Sequence, residues 1–113
     1  MKKDTVTIKI PTNTTDAEAV VTQTWSEAVA FPAIVLPMGQ DLALKYCGYD
    51  APVKYRMFYK GRNADIKAVL QVGNQAVVRE EELYIVFTAD YGKVVDVLLN
   101  TEMPVNGGGV PNG

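Results

Sequence analysis

Hydrophobic and polar residues alternate over several short stretches of this chain, and the elements follow from that alternation. In Thr5–Ile10, Val6, Ile8 and Ile10 interleave with Thr5, Thr7 and Lys9. A period of two in β-branched residues predicts a strand with one buried and one wet face. Pro11 is expected to end that strand, and Thr12–Asp16 reads as a polar turn. Thr15 and Glu18 have the spacing of a capping box. However, Val20–Trp25 is rich in β-branched residues and favours a second strand through Trp25. Phe31–Pro37 is an apolar run bracketed by Pro32 and Pro37. These prolines mark strand ends or a sheet edge, because proline has no N–H to give to a ladder.

From Gly39 to Ala51 the alternation stops, leaving a long connection with one weak helical patch, Asp41–Tyr46. Long connections in small domains are disproportionately functional. Beyond it, Val53, Tyr55, Met57 and Tyr59 share one strand face, and Lys54, Arg56, Phe58 and Lys60 share the other. Gly61–Asn63 turns the chain. Asp65–Gln71 stays open between a helix, with Ile66, Val69 and Leu70 on one face, and the approach to a hairpin at Gly73 and Asn74. Leu83–Thr88 and Lys93–Asn100 flank the turn Asp90–Gly92 and form the clearest hairpin, with Val95, Val97 and Leu99 on one face. Short strands at this spacing predict a mainly β fold, a small antiparallel β-barrel or sandwich with a long mid-chain loop and at most one short helix. Residues 1–103 form the single domain of this reading. Residues 104–113, rich in Gly, Pro and Asn, form a flexible tail.

Composition then narrows the chemistry. The 113 residues include no histidine, so His-dependent triads and imidazole metal ligands are excluded. Cys47 is the only cysteine and can form neither an internal disulfide nor a Cys-x-x-Cys site. No apolar run approaches the roughly 18–20 residues that cross a bilayer. Met1-Lys2-Lys3 has no apolar stretch behind it such as a signal peptide needs. The expectation is a soluble protein made in the cytosol, with no membrane contact. Asn13-Thr14-Thr15 matches a glycosylation sequon, which such a protein does not use. Glu80, Glu81 and Glu82 offer paired carboxylates, although runs of like charge are usually solvated. Cys47 lacks the base a nucleophile needs. These readings predict a protein that is not an enzyme and carries no cofactor or metal.

The net charge of −2 hides two opposed segments. Lys54, Arg56, Lys60, Arg62 and Lys67 stand against Asp65 alone, a local balance of +4. Arg79 stands against Glu80, Glu81, Glu82 and Asp90, a local balance of −3. Three readings are open. The basic segment, with Tyr55, Phe58 and Tyr59 interleaved, suits an OB-like barrel that binds single-stranded nucleic acid through Lys54, Arg56, Tyr55 and Phe58. Alternatively, Lys54, Arg56, Lys60 and Arg62 meet Glu80, Glu81 and Glu82 of another copy in a head-to-tail contact. The third is ordinary mixed surface charge. Overall acidity weighs against a dedicated nucleic-acid binder.

The order of features carries a resemblance. Val6–Ile10 leads through a Thr/Asp-rich turn to Thr24-Trp25, then to Phe31–Pro37, a variable loop, Val53–Tyr59, Glu82–Val86 and Val94–Leu99. Over roughly residues 4–100 this order resembles the head-closure, or stopper, and head–tail joining proteins of tailed bacteriophages. The family often has a short basic, glycine-containing turn before its penultimate strand, where this chain has Arg79–Glu82. The resemblance implies a structural subunit of the virion neck, made in the host cytoplasm. It would form a homo-oligomeric ring below the portal or adaptor protein, retain packaged double-stranded DNA without sequence-specific binding, and dock the tail-terminator or another tail protein. The alternative within the virion is another minor capsid or tail-completion component. By position, Gly39–Ala51 would be the family's channel-facing loop. Met38, Leu42, Leu44, Tyr46 and Tyr49 would then make subunit contacts or narrow the channel, unless they belong to the domain's own core.

Overall fold

Val6 and Ile8 are fully buried, as their alternation requires, on strand β1 (Asp4–Thr15). The computed structural model describes residues 2–104. After β1 come β2 (Val21–Pro37), helix α1 (Gln40–Cys47), β3 (Tyr55–Lys60), helix α2 (Ala64–Val69), β4 (Gln75–Val78), β5 (Glu81–Asp90) and β6 (Val94–Asn100). Neighbouring strands are antiparallel in the order β1-β2-β3-β6-β5-β4, and β4 returns to β1, so the sheet closes into a barrel. Alternate residues of every strand point inward, among them Phe31, Ala33, Val35, Met57, Tyr59, Ala76, Val78, Leu83, Ile85, Val95, Val97 and Leu99. The barrel is therefore mainly β and its interior is filled by side chains. Each large one contributes about 1.5–3 kcal/mol by leaving water.

Three expectations change, and one is narrowed to a single reading. β1 does not stop at Pro11 but runs on through Thr12–Thr15, pairing Pro11 with Trp25 and Thr15 with Val21. The β4 ladder ends at Lys9, so from Ile10 onward β1 has a neighbour on one side only, where a missing N–H is tolerated. Pro32 lies inside β2 for the same reason, since pairing with β3 begins only at Ile34; of its two readings, the sheet edge holds. The mid-chain loop is largely helix α1. Finally, there are two short helices, not at most one. The open segment becomes α2 because Asn63 caps it, its side-chain oxygen accepting from Asp65 N–H at 2.9 Å and Ile66 N–H at 3.3 Å. The expected flexible tail lies, from residue 105 on, outside the described residues.

Two local features carry strain or tight packing. Val78 pairs with Glu81, so Arg79 and Glu80 alone make the hairpin turn, and both have positive φ, 52° and 67°. That geometry is the type I′ turn, which matches sheet twist but favours Asn and Gly. Gly61 sits against the Tyr59 phenol, and a Cβ there would overlap it. The Tyr59 hydroxyl accepts from Asn63 N–H at 3.3 Å, and its ring meets Phe31 edge-on at 5.2 Å, so it has little room to retreat.

Glu80→Gly should therefore raise stability by about 0.5–1 kcal/mol, after the greater freedom of its unfolded chain is offset. Gly61→Ala should lower stability by about 2 kcal/mol through overpacking. Urea unfolding midpoints, at unchanged slope, check both signs.

Candidate functional site

The opposed charge segments meet within one chain. Lys54 precedes β3 and Glu81 opens β5, and the two form an ion pair, with the Tyr55 hydroxyl donating to Glu81 at 3.4 Å. Glu82 pairs with Lys9 at 3.5 Å. Arg56 grips Asp96 with both prongs, Nε to Oδ1 at 2.9 Å and Nη2 to Oδ2 at 2.6 Å. For Lys60, Arg62 and Glu80 no ion pair forms among the described residues. Of the expected charge contacts, four are thus engaged internally and three face outward.

The Arg56–Asp96 pair belongs to an outer layer over the barrel wall. Asp96 is only 3% exposed although it points away from the barrel core. The cover is α1 and the chain that follows it: Ala43 and Tyr49 pack on Val86 and Leu98, flanked by Met38, Cys47, Ala51, Val53 and Phe87. Gly48 ends α1 with φ of 68°, and Tyr49 N–H then donates back to the Ala43 carbonyl at 3.3 Å. This left-handed step, natural to glycine, folds Tyr49 under the helix, where burial pushes its phenol pKa up. The Cys47 thiol donates to Asp96 Oδ2 at 3.7 Å. Burial, then the Asp96 carboxylate, pushes its pKa up as well, the opposite direction from an activated nucleophile. The Arg56 guanidinium lies 4.6 Å from the Phe58 ring centre and 5.9 Å from that of Tyr46.

The five candidates of the mid-chain segment therefore separate. Tyr49 is core and Met38 packs beside it. Leu42, Leu44 and Tyr46 are exposed on α1. Leu42 and Tyr46, four residues apart, share one side of the helix, and Leu44 lies on another. They form no single surface. Among the described residues, no group of three or more Cys, Asp or Glu side chains gathers as a metal site.

Two features absent from the candidate set are more prominent. The first is an arm, the part of the β1–β2 ribbon beyond Lys9, which helps stretch the molecule to 48 Å against 29 and 25 Å in the other directions. Thr12 faces Thr24 and Thr14 faces Thr22, and Thr24 and Thr14 hydroxyls donate across the ribbon at 3.4 Å. Trp25 meets Tyr84 of β5 edge-on at 5.9 Å and ties the arm's base to the barrel. At the tip, Asp16 Oδ1 accepts from Glu18 N–H at 2.9 Å and Val20 N–H at 3.0 Å, while Val20 and Val21 are 52% and 64% exposed. The second is an open apolar groove of about 350 Å³ on the barrel's outer wall, lined by Ile34, Leu36, Phe58, Lys60 and Val94. The β-branched run at Val20–Trp25 signalled the arm. The groove carried no sequence signal, because its residues come from three strands.

No protein-family model matches this sequence, and neither does any curated protein. The fold is similar to that of protein SF1141 from Shigella flexneri 2a, a solution structure. The TM-score is 0.60 over 85% of this chain and 88% of that one, at 14% sequence identity. At that identity the likeness is one of fold.

Asp96→Ala would leave Arg56 charged, largely covered and unpartnered. It should cost about 2 kcal/mol, less than a fully buried pair because Arg56 keeps some access to water. Lys54→Ala, at an exposed pair, should leave the midpoint nearly unmoved. Urea unfolding of the two variants side by side measures the contrast.

Proposed function

We propose that this chain is a structural subunit of the tailed-bacteriophage neck, a head-closure or head–tail connector protein that works as a ring. In this reading the ring sits below the portal or adaptor protein, holds packaged DNA in the head and receives the tail-terminator or another tail protein. The subunit is not an enzyme. The observation that carries the reading is the arm: a paired, tied-down ribbon that extends far beyond what the barrel core uses. A filled barrel with a stiff projecting arm suits a repeated part that must grip its neighbours.

Further support comes from the order of sequence features that carries the resemblance, and from the engaged state of the chemical groups. The Cys47 thiol is pushed away from reactivity, and Glu81 and Glu82 hold lysines. The nucleic-acid alternative has less behind it. Lys54 and Arg56 spend their charge on Glu81 and Asp96, and the Arg56 guanidinium already lies 4.6 Å from the Phe58 ring centre. An acidic chain near DNA that must pass through also avoids binding phosphates tightly.

The direct test takes DNA-filled heads that lack this protein and adds it back. Retention of DNA and joining of tails are the expected results. Equal leakage with and without the protein, together with heads that still fail to join tails, would sink the proposal.

A further inference from the structure

The groove of Ile34, Leu36, Phe58 and Val94 is apolar and uncovered, with Lys60 on its lining. Arg62 and Lys93 lie close by in the chain, and neither they nor Lys60 form an ion pair among the described residues. The arm tip is the converse. It exposes Val20 and Val21 beside two acids, Asp16 and Glu18, which also lack an ion pair among the described residues. One surface offers an apolar slot with cations, the other an apolar knob with anions.

We propose that the arm tip, Asp16–Val21, docks in the Ile34–Leu36–Phe58–Val94 groove of a second copy of this chain. The partner cannot be the same molecule. Val21 and Ile34 lie on one continuous strand, β2, and are separated along it by about 43 Å at roughly 3.3 Å per residue. Folding the tip back would break the strand and its pairing with β1. The tip is also too well built to be a spare loop. The Asp16 side chain holds it through two backbone N–H groups, so little ordering remains to be done on docking. Val20 and Val21 enter the apolar slot, and Glu18 faces the Lys60 side, where opposite charge sets the orientation.

The contact is heterologous: each copy gives a tip and receives one, so every added copy leaves one tip and one groove free. Such a contact closes into a ring when the rotation between copies allows it and otherwise runs on as a filament. The inference deepens the ring reading above and rests on it for its biological setting. Its physical content concerns this chain alone.

The test mixes two single-cysteine proteins, both in a Cys47→Ser background, one with Val21→Cys and the other with Leu36→Cys. At millimolar concentration a short bis-maleimide should join them in a yield at least tenfold above that of Val21→Cys mixed with Glu80→Cys. Glu18→Lys or Lys60→Glu alone should cut that yield several-fold, and the two reversals together, one on each partner, should restore it. Both residues are exposed and outside the core, so the variants fold. Equal yields with the Glu80→Cys control, or a swapped pair no better than the single reversals, overturns the inference. Heads that leak DNA while the cross-link forms would sink the phage reading and leave the docking intact. Sealed heads without the cross-link would do the reverse.

Discussion

Closure of the barrel requires β1 to satisfy two neighbours at once, β2 on one side and β4 on the other. It does so only from Val6 to Lys9, because β4 is four residues long. Those few rows fix the rest of the architecture. They place Val6 and Ile8 in the centre, where both are fully buried, and they set the register that turns Ala76 and Val78 inward beside them. A slip of one residue would send every one of these side chains to the opposite face. Past Lys9, β1 is released from β4 while still paired with β2, and a register shift between Ile8 and Lys9 bends the ribbon at that point. The arm is thus a direct consequence of a short β4 beside a long β1 and β2.

The second layer depends on the same closure less directly. A barrel needs only one face of each strand, so the outer faces of β3, β5 and β6 are available to other contacts. Leu98 and Val86 use theirs to receive Ala43 and Tyr49, and a register shift between Ile85 and Phe87 leaves Val86 free to do so. Asp96 lies between that apolar cover and the open groove. Its bidentate partner Arg56 stands diagonally across the β3–β6 pair, so the ion pair clamps these two strands while the Cys47 thiol attaches the end of α1. The cost of burying Asp96 is offset by a guanidinium fork that matches both of its oxygens. On one side of this clamp the wall is covered by α1, and on the other it is bare.

Alternation made the core legible: the inward sets Val6/Ile8, Met57/Tyr59 and Val95/Val97/Leu99 all follow from period two, and the β5–β6 hairpin from its turn. Pro11 was misread for a physical reason. Whether Pro11 ends a strand depends on whether a ladder waits for its N–H, and that is decided by the length of β4, far away in the chain. Helix α2 was ambiguous because six residues carry too little periodicity, and its deciding feature is the cap at Asn63. The charged segments left three readings open for the same reason. Neither segment shows its partners by itself, and it is the antiparallel order that carries Lys54 to Glu81 and Arg56 to Asp96 within one molecule. The groove was invisible, since Ile34, Phe58 and Val94 become neighbours only when β2, β3 and β6 pair.

An edge such as that of β2 from Val21 to Ala33 is a liability, since unpaired N–H and C=O groups invite another strand. The chain limits the danger only in part. Pro32 blocks the base, and Glu27 places a charge at mid-length. One face of the ribbon carries Thr12, Thr14, Thr22 and Thr24, polar enough to stay in water and β-branched enough to stay a strand. A ribbon meant for burial in its own domain would be more apolar, and a mere connection would be shorter and less ordered. Val20 and Val21 break this polar pattern only at the tip, the one place where an apolar side chain adds nothing to the arm's own pairing. Their exposure is therefore hard to explain by folding and easily explained by a neighbour, which is the physical reason to read the arm as a part made for assembly.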